Sequence, residues 1–418
     1  MKVYGLVKID ALDNLFDNFL KGPTIFRNHE VLHPDYVPEN LPHRDKEVQM
    51  IGKILAPALR GYRGSNIFIY GKTGTGKTAA VRYTLDRLIR KSREVGAPIE
   101  TRYINCRIAG TDYRILSLLC ETVGVAIPFT GLASGEVLDR FRNTLDVKKL
   151  TLIVILDEID ALIKMHGDIL LYKLTRINEN LKGSRVLLIG ISNDLHFKEF
   201  LDPRVLSSLS EEEIVFHPYT AVELADILSE RAEMAFIDGA MTEGALRLCS
   251  AFAASEHGDA RRALDLIRVA GELAERDGVS KVSEEHVRHA QKKIEEDRVV
   301  EVLKTLPLHS KLVLFSVYLF MKSNVEGSIT GDVFEVYKEL CGQLALDPLT
   351  QRRVSGLINE LDIVGILNAR LVNLGRYGRT KKIRLGISND SIKEVYSMDS
   401  WIGPLITYTP KCLHENKK

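Results

Sequence analysis

Three glycines, Gly71, Gly74 and Gly76, surround a lysine and a threonine in the run Gly71, Lys72, Thr73, Gly74, Thr75, Gly76, Lys77, Thr78. Glycine at this spacing lets the chain turn so that successive backbone N–H groups converge on an anion, and a helix beginning there adds its positive dipole end. Lys77 then sets a charge on the β- and γ-phosphates of a nucleotide, and Thr78 offers its hydroxyl to magnesium. Such a loop needs a strand before it and a helix after it. Asn66–Tyr70 (NIFIY) supplies the strand, and the run from Ala79 onward supplies the helix. The ligand predicted is ATP or ADP with Mg2+, held by residues Gly71 to Ala79.

A second source of oxygen atoms lies in Leu152–Asp160, LIVILDEID. An apolar strand ending in two acids delivers both carboxylates to one sheet edge. Asp157 is expected to help Thr78 hold the metal, and Glu158 to polarise an attacking water. Asp160 reads as structural. The following strand ends in Ser192-Asn193-Asp194, where Asn193 can position water or sense the γ-phosphate. Two arginine motifs complete the set: Asp202-Pro203-Arg204-Val205, and Gly258-Asp259-Ala260-Arg261-Arg262 at the head of a helix.

These residues need a scaffold. Four short apolar runs, Asn66–Tyr70, Arg102–Cys106, Thr151–Leu156 and Arg185–Ile191, alternate with helix-length segments and predict a parallel sheet covered on both faces. With 418 residues, two or three domains are expected. From about Thr220 to Glu296 the pattern is helical, opening on Thr220 with Glu223 three residues later, a capping box. Ser283 and the two following glutamates open another helix in the same style, and the charged stretch Lys292 to Arg298 leads onward. Beyond Val299 come three helices (Ser310–Met321, Gly331–Cys341, Gln351–Ile363) and two strands (Asn368–Val372, Lys382–Leu385), the order of a winged helix. The expected layout is an extension (1–25), an α/β core (26–219), a helical lid (220–298), a winged helix (299–386) and a tail (387–418).

Composition narrows the partners. Lys+Arg number 57 against 56 Asp+Glu, so any nucleic-acid site must be a local patch. The hairpin is such a patch, because Asn368 to Gly386 holds Arg370, Arg376, Arg379, Lys381, Lys382 and Arg384 and no acid. In helix Gln351–Ile363, Val354, Leu357, Ile358 and Leu361 fall on one face, while Gln351, Arg352, Ser355 and Asn359 fall opposite, with Arg353 beside them. That side is either a set of base and phosphate donors or a solvated polar face. The apolar stretch Leu312–Met321 is half a membrane span and reads as a buried helix. With no signal-peptide pattern, a cytoplasmic protein is expected. Five scattered cysteines without a CxxC read as buried free thiols.

The combination of phosphate loop, DE-ending strand, Asn-ending strand and a helical lid with Gly-Asp-x-Arg resembles the AAA+ ATPases. That resemblance implies that Arg261 reaches the phosphates from the lid and that Arg204 reaches a neighbouring subunit's nucleotide. Four further segments (Tyr36-Val37-Pro38 with Leu41–Arg44; Ala126–Leu132 with Ser134–Val137; Leu349–Ile366; Gly375–Arg379) resemble the archaeal replication initiators, homologues of the origin recognition complex and of the Cdc-type loading factor. The resemblance runs from about Phe26 to about Leu385. It implies that Val37 and Arg44 lie near the adenine, and that Tyr219 and Arg231 belong to the nucleotide site. It makes Thr130, Gly131 and Ser134 a second DNA contact, otherwise a loop between two helices, and Arg376, Tyr377, Arg379, Lys381 and Lys382 the wing contact. The partners it implies are double-stranded origin DNA, a replicative helicase of the minichromosome maintenance type, paralogous initiators or further copies, and no membrane. The place it implies is the cytoplasm, on the nucleoid. A AAA+ branch-migration motor and a P-loop winged-helix transcription regulator are the two rivals.

Overall fold

The apolar runs become strands. A computed structural model describes residues 24–411 other than 35, 37, 129, 210–211, 324–327 and 374–378. Its main sheet contains β1 (Ile67–Tyr70), β2 (Ile99–Asn105), β3 (Thr151–Asp157), β4 (Arg185–Ser192) and β5 (Glu212–Val215). All pairings are parallel and the order is β2-β3-β4-β1-β5. Residue alternation loads both faces. Ile153 and Ile155 pack with Ile67, Ile69, Leu187 and Ile189 beneath helices Asp45–Leu55 and Lys77–Val95. Leu152, Val154 and Leu156 pack with Phe68 and Leu188 beneath helices Asp112–Thr122, Ser134–Lys148 and Ile159–His166.

The register fixes where chemistry can happen. Tyr70 lies opposite Ser192, and Asn105 opposite Asp157. The carboxyl ends of β1, β2, β3 and β4 therefore share one edge, the usual ligand-binding edge of an open parallel sheet. β5 was not expected from the sequence. It is an edge strand of four residues, EEIV, in which Ile214 alone is buried, so it carries no apolar run to detect.

The lid follows as helices Ala221–Ala235, Glu243–Ser255 and Ala260–Arg276. The Thr220–Glu223 capping box forms in both directions, and the backbone N–H of Thr220 holds the Glu223 carboxyl below its ordinary range. The chain entering the core starts on the lid: Phe26 stacks on Phe236 at 4.8 Å, and the Arg27 N–H donates to the Ala235 carbonyl at 2.7 Å.

Two expectations about boundaries need correction. Lys292–Arg298 is not a connecting stretch but the middle of one helix, Glu284–Thr305. Its charges support helix at i, i+4 spacing, as in Lys292–Glu296 at 3.8 Å. At the start of that helix Ser283 bonds the His286 imidazole rather than a glutamate. The chain divides into two compact units at Ala290/Gln291, within the same helix.

The second unit contains helices Leu308–Lys322, Thr330–Gln343 and Gln351–Ile363, then β7 (Leu367–Asn373) and β8 (Arg379–Leu385) as an antiparallel hairpin, which β6 (Ser328–Ile329) joins along β8. Leu312–Phe320 is buried throughout, and no helix among the described residues is long and apolar enough to cross a membrane. The stretch after Gly386 is more than a tail. Helix Asn389–Ser397 puts Ile392, Val395 and Tyr396 into the core of this unit, and Lys311 donates to Asp399 at 2.7 Å. Cys106, Cys120, Cys249 and Cys341 are buried free thiols, and Cys412 lies outside the described residues.

Candidate nucleotide site and nucleic-acid interface

At the end of β1 the chain turns through Gly71 to Thr78 into helix Lys77–Val95. Gly74 has φ 69°, and a β-carbon there would collide with the carboxylate of Asp259 on the lid. A β-carbon at Gly71 would collide with the Phe216 carbonyl oxygen. The loop thus needs glycine for close packing as well as for phosphate approach. Lys77 is buried, and its Nζ donates to the carbonyls of Gly71 and Lys72, both at 2.7 Å. Burial pushes its ammonium down to about 8, against the pull of Asp157.

Asp157 is the hub of the opposite wall. One of its oxygens accepts the Thr78 hydroxyl at 2.8 Å and the Tyr103 hydroxyl at 2.7 Å, and the other accepts the Glu158 N–H at 2.9 Å. Burial, and then the bond to Asp157, push the Tyr103 phenol up to about 12. Glu158 stands at the head of helix Ile159–His166 with φ 52°, which turns its carboxylate away from the strand direction. There it meets Asn105 Nδ2 at 3.5 Å and Arg107 at 3.9 Å. Asp160 accepts the Ser192 hydroxyl at 3.0 Å and the Asn193 N–H at 3.3 Å, so its work is to hold the end of β4.

A cavity of about 320 Å³ opens over these groups, lined by Gly74 to Ala79, Asp157, Glu158, Asn193, Tyr219, Arg231 and Arg261. Its other wall includes His33, Tyr36, Pro38 and Leu41 from the segment before the core. The size suits a small ligand, and the polar groups converge at one end. Thr78 and Asp157 offer hard oxygens side by side, a donor pair that fits Mg2+ completed by phosphate and water. The lid reaches the loop directly: the Ala260 N–H donates to the Gly74 carbonyl at 3.1 Å, and Asp259 caps its helix through the Arg261 N–H at 2.8 Å.

In the second unit, helix Gln351–Ile363 buries Val354, Leu357, Ile358 and Leu361, as its periodicity requires. Thr350 caps it by accepting the Arg353 N–H at 3.4 Å. Gln351, Arg352, Arg353 and Asn359 are exposed and Ser355 half-buried. Arg353 pairs with Glu360 at 3.0 Å, an exposed pair that costs little to exchange for a phosphate. Register sorts the hairpin cations. Arg370 lies directly opposite Lys382, and Asn368 opposite Arg384, so three cations share one face. Ala369, Ile383 and Leu385 occupy the other face and meet the core. Lys381 belongs to that inner face and donates to the Asn359 side-chain oxygen, bracing the helix against the hairpin.

Family models match along the chain in the same order as these parts. A AAA domain matches residues 60–197, a Cdc6 AAA+ ATPase-type lid domain 225–292, and a CDC6 C-terminal winged helix domain 301–395. An ORC1-type DNA replication protein of Pyrococcus abyssi is 52% identical over 404 residues, covering 96% of each chain. The chain belongs to the ORC1-type DNA replication protein family. Its relative in Methanosarcina acetivorans, ORC1-type DNA replication protein 1, is 49% identical over 405 residues, covering 96% of this chain and 98% of the relative. The structure of the Aeropyrum pernix ORC1 protein in complex with DNA is similar at TM-score 0.80 and 49% identity, covering 91% of this chain and 99% of that one.

Within this AAA+ frame the residues singled out by sequence fall in different places. Lys77, Thr78, Ala79, Asp157, Glu158, Asn193, Tyr219, Arg231 and Arg261 line one cavity with Gly74, Thr75 and Gly76. Gly71 and Lys72 stand behind the loop as acceptors for Lys77, and Thr73 is exposed on it. Arg204 is exposed on helix Pro203–Leu209 and is not among the cavity residues. Thr130 and Gly131 are exposed before helix Ser134–Lys148, a helix whose start has no side-chain cap. Tyr113 anchors that loop by donating to the Pro128 carbonyl at 2.6 Å. Val37, Arg376 and Tyr377 lie outside the described residues, as does the side chain of Arg379.

Arg44 lies buried beside the phosphate loop, 4% exposed, against the cavity residues Thr75 and Tyr219. Its guanidinium donates to the carbonyls of Thr75 at 2.9 Å and His217 at 2.6 Å, and covers the Tyr219 ring at 3.9 Å. It clamps the loop to the joint between core and lid. Replacing it with alanine strands two carbonyl acceptors, so Arg44→Ala is expected to destabilise the chain by roughly 2 kcal/mol or more, read by urea unfolding. Arg231 is likewise shared: it lines the cavity while donating to the Val31 carbonyl at 3.1 Å and covering Tyr36. Tyr103, Asn105 and Arg82 are site residues that carry no signal in the sequence alone.

Proposed function

We propose that this chain is a nucleotide-switched initiator of DNA replication. It binds ATP or ADP with Mg2+ in the cavity over the phosphate loop, grips double-stranded origin DNA, and recruits a replicative helicase of the minichromosome maintenance type. The observation that carries the reading is the hydrogen bond from Ala260 of the lid to Gly74 of the phosphate loop. Any change in the loop on gaining or losing a γ-phosphate is felt by the lid without an intermediary, and differential contact of this kind is what a switch requires.

Bound magnesium would neutralise charge between the outer phosphates. The chain's own residues do the rest. Lys77 exchanges its two carbonyl partners for phosphate oxygens, Thr78 and Asp157 present the metal-binding oxygens, and Glu158 orients the attacking water after leaving Asn105. Asn193 and Arg261 contact the end of the phosphate chain. Arg204 completes a second copy's site, so an isolated subunit turns ATP over slowly and remains in its bound state. DNA contact falls to Gln351, Arg352, Arg353, Ser355 and Asn359 on the recognition helix, to Arg370, Arg376, Tyr377, Arg379, Lys382 and Arg384 of the wing, with Lys381 bracing Asn359 from the inner face, and to the Thr130, Gly131 and Ser134 loop through backbone N–H groups. That the Aeropyrum relative was solved in complex with DNA supports DNA as the partner. The site of action is the nucleoid.

Footprinting of chromosomal fragments with ATP, with ADP and without nucleotide tests the proposal. The parent protein is expected to protect repeated elements at replication starts, with a pattern that differs between ATP and ADP. Lys77→Ala is expected to bind no nucleotide and to give one pattern throughout. Identical parental footprints in all three conditions, or protection of promoters alone, would count against the reading.

A further inference from the structure

Tyr103 spends its hydroxyl on the metal-binding carboxylate of the site. It sits on β2, the edge strand, opposite Ile155, and reaches diagonally to Asp157 two residues further along β3. Its donor bond of 2.7 Å ends on the same Asp157 oxygen that accepts the Thr78 hydroxyl at 2.8 Å. Two O–H donors converging on one oxygen fix the carboxylate about its last torsion, and the Glu158 N–H at 2.9 Å fixes the other oxygen. Asp157 is 6% exposed, so little water competes for these positions. The tyrosine is itself held. Arg82 lies one helical turn beyond Thr78 and places its guanidinium 4.5 Å from the centre of the Tyr103 ring. Thr78, Asp157, Tyr103 and Arg82 thus form a closed circuit that ties the phosphate-loop helix to the edge of the sheet.

We infer that Tyr103 is a positioning residue for the metal-binding edge of the site, orienting Asp157, and through it Thr78, for a divalent cation, with Arg82 as its clamp. The inference rests on the nucleotide reading given above. Outer partners that orient a metal-binding carboxylate typically govern metal affinity by roughly 10–100-fold. A phenylalanine at 103 keeps the ring and its stacking under the Arg82 guanidinium while deleting the hydroxyl and its bonds.

The test is fluorescent-ADP binding to the full chain, first in EDTA and then across a MgCl2 titration. For Tyr103→Phe the Mg2+ midpoint is expected to rise by about tenfold or more, a larger change than in the affinity measured in EDTA. Arg82→Gln, which loosens the clamp, is expected to raise the Mg2+ midpoint by a smaller factor. A Tyr103→Phe protein with the parental Mg2+ midpoint would overturn the inference, as would equal losses with and without Mg2+. Should Tyr103→Phe not fold, a parental midpoint in Arg82→Gln overturns it instead. A parent that binds no nucleotide at any Mg2+ concentration would overturn the nucleotide reading as well, so the two failures are separable.

Discussion

Glu158→Gln is expected to bind ATP as the parent does and to lower its hydrolysis by about 100-fold or more. The glutamine keeps the length and the hydrogen bond to Asn105 but cannot accept a proton from water. Asp157, one residue earlier, is engaged by Thr78, Tyr103 and the Glu158 N–H, so it is not available to replace the lost base. The positive φ of Glu158 sends the two neighbouring carboxylates into different surroundings, one buried and one beside Asn105 and Arg107. Binding and turnover should therefore separate cleanly in this variant. Single-turnover hydrolysis beside a nucleotide titration checks it, and a parental rate would remove Glu158 from its assigned role.

The second large effect concerns DNA. Arg370 and Lys382 face each other directly across β7 and β8, with Arg384 on the same face. Like charges placed opposite in an antiparallel pair repel, so the hairpin accepts a cost that an anion lying across it relieves. The double variant Arg370→Ala, Lys382→Ala is expected to weaken DNA binding for all sequences. It should also reduce the slope of log affinity against log salt by about two, roughly 0.9 for each phosphate no longer neutralised. Its fold should be retained, because Ala369, Ile383 and Leu385 on the inner face carry the packing. Fluorescence anisotropy at several salt concentrations measures the slope, and an unchanged slope would remove this face from the interface. Lys381→Ala should behave differently, since Lys381 braces Asn359. Its effect should fall more on sequence preference than on salt dependence.

What was legible in the sequence follows from how local the signals are. The phosphate loop and the LIVILDE strand announce themselves because composition and position coincide: a fully buried central strand must be apolar, and two acids at its end must be at the sheet edge. Helix Gln351–Ile363 was legible to its ends, because Thr350 caps it and its apolar face is periodic. β5 was not, because a half-exposed edge strand of four residues needs no apolar run. The charged helix Glu284–Thr305 reads as a connection because the hydrophobic stripe that marks a helix is missing from its middle.

The clamping role of Arg44 was not legible either. A buried arginine that clamps carbonyls and one that faces a ligand have the same sequence signature, and only the partners at Thr75 and His217 distinguish them. Tyr103 was hidden for a related reason. An aromatic residue in a strand reads as packing, and its hydroxyl bond to Asp157 exists only once β2 and β3 are in register. The helix after Gly386 was missed because its apolar residues are few, and its place in the core is set by tertiary packing around Tyr396.

If nucleotide held over the phosphate loop governs how this chain holds origin DNA, the dependence must be visible on the chromosome. Chromosome-wide mapping of the tagged protein, beside mapping of nascent-strand start sites in the same cells, tests it most directly. The strongest binding sites are predicted to coincide with replication starts, and the Lys77→Ala protein to change occupancy there. Strong sites at promoters remote from any replication start, occupied equally by the parent and by Lys77→Ala, would contradict it.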